Sequence, residues 1–135
     1  MKRREAREAA FKLTYEMVMT GEYNQATKDD LTLTADNDCR EYIESVLRGV
    51  TEHKDEIKAL IAKYSHGYDF DRIYKVDLAV LFVACYEILY TDTPKAVVAN
   101  EAVELVKAYS DAQSYSFVNG ILASVIKETS SGENN

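Results

Sequence analysis

Apolar residues recur along this chain at helical spacing. Ala6, Ala10, Leu13 and Met17 form a stripe that Phe11 and Tyr15 widen, predicting a first helix over about 3–20, with Gly21 as its stop. Residues 21–38 are polar and rich in Asp, Thr and Asn; they predict a connection with at most one short turn near Leu31 and Leu33. From near Asp38, Ile43, Val46, Leu47 and Val50 make one face, continued in phase by Ile57, Leu60, Ile61 and Tyr64. The continued phase predicts one helix or two collinear ones, with Gly49 as a break or a close-contact point, ended by Ser65-His66-Gly67.

A further helix is predicted over about 71–90. It is apolar all round from Leu78 to Tyr86, as a buried central helix should be. Thr93-Pro94 then reads as a helix start, Thr as cap and Pro as first helical residue. The next helix spans about 94–109, with Val98, Ala102, Leu105 and Tyr109 on one face. Ser110-Asp111 offers another cap. A last helix over about 112–128 turns Val118, Ile121, Leu122 and Val125 inward, leaving 130–135 as a frayed tail. No stretch alternates as a strand does. The fold class is all-α, a compact bundle of about six or seven helices in one domain over 1–135, with helical halves at 1–68 and 69–129.

Composition changes this picture little: 47% hydrophobic and 29% charged residues describe an ordinary folded protein. The run from Leu78 to Tyr86 is too short for a membrane span, and no apolar segment follows the charged start Met1-Lys2-Arg3-Arg4-Glu5, so the chain reads as cytoplasmic. Cys39 and Cys85 lack metal-ligand spacing and read as reduced, packed thiols; no metal or cofactor is expected.

Charge distribution changes it more. The net charge is −7, which taken alone argues against a nucleic-acid partner. Yet Lys2, Arg3, Arg4, Arg7 and Lys12 face only Glu5 and Glu8 within residues 1–12, so a basic arm is joined to an acidic body. Arg7 lies beside both Arg3 and Arg4 on a helix, and arginine forks pair with phosphates and stack on bases. Such a cluster also serves simply as a solubilising start. Asn119-Gly120 sits inside a helical stripe, where Gly costs about 1 kcal/mol against Ala and calls for compensation by a close helix or ligand. Neighbouring Phe117 offers a stacking face. Of the ten tyrosines, Tyr15 and Tyr115 are the ones expected near the arm. GxxxxGK[ST], GxGxxG, GxSxG and HExxH are all missing, Glu101 and Glu104 form only an isolated carboxylate pair, and His53 and His66 lack a sequence partner; no enzyme is expected.

Two stretches carry a more specific signal. Residues 94–109, PKAVVANEAVELVKAY, followed by SYSFVNGIL at 114–122, resemble the signature of the NusB family. The segment VDLAVLFVACYEI at 76–88 is similar to that family's central helix, and RREARE at 3–8 with Tyr15 to its arginine-rich start. The resemblance covers nearly the whole chain except 22–38. It implies two small helical bundles and a transcription antitermination factor that binds boxA-type single-stranded RNA in ribosomal RNA leaders. The partners would be the small-subunit ribosomal protein NusE and the antitermination complex on RNA polymerase. The implied RNA contacts are Lys2, Arg3, Arg4, Arg7, Tyr15, Ser114, Tyr115, Phe117 and Asn119, which requires the first and last helices to meet. Three positions depart from the family: Ser116, Phe82 and Ala96 stand where basic residues are usual, and each change removes a phosphate contact. These losses and the acidic body support an alternative, a protein-interaction module with weak RNA affinity. A detached copy of the NusB-like domain fused to some RNA methyltransferases is a third reading.

Overall fold

The computed structural model describes residues 1–67 and 69–133, with side chains through 130. Its elements are α1 (Arg3–Thr20), α2 (Gln25–Leu31), α3 (Asn37–Glu52), α4 (Lys54–Tyr64), a 3-10 turn (Phe70–Arg72), α5 (Lys75–Tyr90), α6 (Lys95–Tyr109) and α7 (Ala112–Glu133). The chain is all-helical among the described residues, as its periodicity predicts.

Local chemistry sets most boundaries. Gly21 takes a left-handed conformation (φ 98°) and returns its N–H to the Met17 carbonyl, closing α1. Asp36 Oδ1 accepts the Cys39 N–H at 2.9 Å and starts α3; Asp111 Oδ1 does the same for Ser114 N–H at 2.9 Å and starts α7. The Thr93-Pro94 start is offset by one residue: Pro94 itself occupies the cap position, and the Thr93 hydroxyl pairs with Thr91.

Three expectations are corrected. Residues 21–38 hold a helix, α2, capped by Asn24, whose Oδ1 accepts the Thr27 N–H at 3.0 Å; it buries none of its own residues, so it leaves no apolar stripe. Of the two readings of Gly49, the break falls instead at His53, whereas the close-contact point holds, with Tyr86 against the glycine. The last helix runs on to Glu133, beyond its apolar stripe and into the expected frayed tail, because helical backbone bonding needs no apolar side chain; residues 134–135 lie outside those described.

The core forms around α5. Leu78 through Cys85 are all buried, so α5 packs on every side: against α1 and α3 on one flank, α6 and α7 on the other, with α4 across it. The predicted stripes meet it there, including Met17, Val50, Ile57, Val98, Leu105, Ile121 and Val125. A satellite cluster of Ala6, Ala9, Leu13, Cys39, Ile43 and Leu47 closes α1 on α3. Both cysteines are free and buried, and burial pushes the Cys85 thiol up to about 12. No helix among the described residues is long and apolar enough to cross a membrane.

Candidate functional site

The three arginines of the arm meet three different fates. Arg3 is exposed and lies over the Tyr42 ring of α3, 4.4 Å from its centroid. Arg4 reaches α6, where Nε and Nη2 donate to the two carboxylate oxygens of Glu101 at 3.0 and 2.9 Å. Its side chain stays 68% exposed while that of Glu101 is 15% exposed. Arg7 points inward. Its fork donates to Glu87 of α5 at 2.9 and 2.9 Å, with the two side chains 6% and 1% exposed. Burial opposes the charge on Arg7, but Glu87's hydrogen bonds and charge outweigh it and hold the guanidinium above its ordinary value. In this arrangement the Arg7 fork anchors α1 to α5 and is closed off from solvent.

Position on the helix explains the split. Around α1, Arg7 falls between Ala10 and Phe11 on the buried face, and Glu87 falls on the all-round apolar α5. Lys2 is exposed at the start of α1, its backbone N–H donating to Glu5 Oε1 at 3.0 Å. Tyr15 is 36% exposed and shares the α1 stripe of Arg4 and Phe11.

The α7 residues also part company. Ser114 is buried; its hydroxyl donates to Asp77 Oδ2 at 2.7 Å and accepts from Ser110 at 2.7 Å, tying the start of α7 to the start of α5. Burial, against the hydrogen bond from Ser114, pushes the Asp77 carboxyl above the usual carboxylate range, and its Oδ1 has no hydrogen-bond partner among the described residues. Phe117 lines a cleft of about 230 Å³ with Arg72, Ile73, Tyr74, Asp77, Gln113 and Ser114. Tyr115 is two residues from Phe117, about 200° round the helix. It faces α6 instead, with Lys107 Nζ 5.4 Å from its ring centroid. Asn119 and Gly120 are exposed, and apart from the chain neighbours and α7's own backbone no atom of the described residues lies within 4 Å of where a Gly120 Cβ would be. The close helix contact expected there is at Gly49 instead, where an added Cβ would lie 1.9 Å from Tyr86 Cε1.

Helices α1 and α7 share no extensive packing among the described residues; both pack on α5, and side chains of α6 reach each of them. On one side Tyr109 of α6 meets Phe11 (centroids 5.1 Å apart) and Lys12 (Nζ 5.8 Å from the ring). On the other, Lys107 meets Tyr115. Tyr109 was expected on the buried face and is 40% exposed. Lys12, Lys107 and Tyr109 therefore form a surface seam that periodicity concealed; the spacing of exposed Lys and Tyr near the α6–α7 junction is the signal that could have found it. Among the three departures, Ser116 and Ala96 are on the surface, whereas Phe82 is buried at 2% exposure, so it replaces packing and not a solvent-facing contact.

Fold and surface define a class: a small all-helical bundle around one buried helix, with a basic first helix joined to an aromatic C-terminal region through α6. A NusB family model matches residues 4–127. The transcription antitermination protein NusB of Finegoldia magna is 42% identical over 94% of this chain and 95% of its own length. T. maritima NusB superimposes with a TM-score of 0.87 and 32% identity, covering 95% of this chain and 92% of that one. A structure of the antitermination factors NusB and NusE in complex with dsRNA superimposes at 0.83 with 26% identity, covering 93% and 96%. The chain belongs to the NusB family.

Proposed function

We propose that this chain is a transcription antitermination factor that binds a boxA-type single-stranded element in ribosomal RNA leaders. It does so in the cytoplasm together with the ribosomal protein NusE, within an antitermination complex on RNA polymerase, by binding and not by catalysis. Membership of the NusB family supports this, as does the similarity to a NusB–NusE pair solved with RNA. The observation that carries the assignment to a surface is the seam along α6. There Arg4, Lys12 and Lys107 accompany the exposed rings of Tyr109 and Tyr115. Cations beside half-exposed rings suit unpaired nucleotides, whose bases stack while phosphates take the charge.

In this reading the seam residues Arg4, Lys12, Lys107, Tyr109 and Tyr115 touch RNA directly, joined by Lys2, Arg3, Tyr15 and Asn119, and the Phe117 cleft admits a further base. Arg7 and Ser114, both buried, hold the two RNA-facing segments in place. The test is a salt titration of binding to boxA RNA, to a scrambled strand and to a duplex, with and without NusE. Selective binding of the single strand that tightens with NusE is the expected result. Partner binding without RNA selectivity would replace this reading by that of a protein-interaction module, which the acidic body favours.

A further inference from the structure

Glu101 is a carboxylate placed where RNA is proposed to bind, and simple electrostatics makes it unfavourable there. Its geometry suggests a different role. Glu101 occupies only the Nε–Nη2 edge of Arg4. Nη1 has no partner among the described residues, so the outer fork of the guanidinium, Nη1 with the second N–H of Nη2, remains open. The acceptor lies on α6 with its side chain only 15% exposed, while that of the arginine is 68% exposed. The carboxylate thus clamps the inner edge of a long, flexible side chain and leaves the outer edge in solvent. Arg7 three residues on shows the contrast: the same fork on Glu87 is buried.

We propose that Glu101 is a positioning residue for RNA recognition: by fixing the inner edge of the Arg4 guanidinium it aims the outer fork at one phosphate of the bound strand. This rests on the RNA-binding reading above. An arginine held in advance loses less rotamer freedom on binding than a free one. The gain must exceed the repulsion between the Glu101 charge and the strand, which the ion pair with Arg4 already neutralises in part.

The sign of the effect makes the test sharp. A carboxylate that merely sits near RNA strengthens binding when removed; a positioning carboxylate weakens it. The experiment is a double-mutant cycle of Glu101→Ala and Arg4→Ala, read by anisotropy of labelled boxA single strand at several salt concentrations. Circular dichroism melts establish that each variant is folded at the assay temperature. Arg4→Ala is expected to weaken binding and lower the salt slope by about 0.7, the loss of one single-strand phosphate contact. Glu101→Ala is expected to weaken binding about threefold or more in the parent, and not at all once Arg4 is gone. Glu101→Gln, which keeps one acceptor oxygen and the side chain's shape, should fall between, and stands in if the alanine variant does not fold.

Tighter binding by Glu101→Ala in the parent overturns the proposal and makes the carboxylate a competitor of phosphate. Equal loss with and without Arg4 also overturns it, leaving a structural brace between α1 and α6. Unchanged binding by Arg4→Ala removes Arg4 from the interface and the proposal with it, while the wider RNA reading survives on the remaining residues. Failure of the parent protein to bind the strand at all sinks that wider reading first.

Discussion

Gly49 lies against the ring of Tyr86, so close that a Cβ at position 49 would stand 1.9 Å from Cε1 and 2.5 Å from Cζ. This contact lets α3 approach α5 at the point where both are packed into the core. Gly49→Ala must push the half-buried Tyr86 ring aside. The expected cost is about 1–3 kcal/mol, measured as a fall in the urea midpoint. Truncating the ring in a Gly49→Ala/Tyr86→Ala double variant should give less than the sum of the single losses.

Gly120 behaves in the opposite way. It is exposed in mid-helix with open space where a side chain would be, so Gly120→Ala should stabilise the protein by about 0.5–1 kcal/mol. A thermal melt checks this. The same variant assayed for boxA binding shows whether the bare backbone serves a ligand: stability gained with affinity lost would place the strand against this turn of α7.

The Arg7–Glu87 pair supports a third prediction. Arg7→Ala or Glu87→Ala leaves its buried partner without a counter-charge and should cost about 3–5 kcal/mol. Replacing both, as Arg7→Met with Glu87→Leu, should restore most of that loss, because apolar side chains of similar volume need no such partner. Chemical denaturation of the three variants decides it.

A fourth prediction concerns pH. Burial raises the Asp77 carboxyl in the folded state, so the fold binds that proton more tightly than the unfolded chain does. Its contribution to stability is therefore most favourable below the ordinary Asp range and is lost as pH rises through the raised folded value. Asp77→Asn keeps an acceptor for Ser114 and removes the titration. The variant's stability measured from acid to neutral pH should lack this downward step, and the difference between the two proteins should shift in the variant's favour as pH rises. A constant difference across the range would show that Asp77 does not titrate differently on folding.

The stripes of α1, α3, α6 and α7 were legible because burial repeats with the helical period, and the structure buries Leu13, Ile43, Val98 and Ile121 as that period requires. Helix α2 was not legible, because it buries nothing of its own and so writes no stripe. Which glycine meets a neighbouring helix could not be read either: Gly49 and Gly120 both sit in helical patterns, and only the tertiary arrangement brings Tyr86 to one of them.

The arm was readable as a basic cluster but not as three separate roles. A signal for Arg7 did exist in the sequence: a cation on the apolar face of α1 and an anion at Glu87 in the apolar α5 are each costly to bury unless they pair. The seam along α6 was hidden because Tyr109 falls in phase with buried residues but ends its helix, where the core no longer covers it.

Helix α5 carries one buried carboxylate near each end, Asp77 holding the first turn of α7 through Ser114 and Glu87 holding α1 through Arg7. Ten residues separate them, about 15 Å along a rod whose length is set by its backbone hydrogen bonds. The rod is thus a gauge: it sets the separation between the anchor of the basic arm and the anchor of the C-terminal cleft. Loop sequences can drift around it without changing that distance, and a ligand that touches both ends is selected for its reach as well as its chemistry.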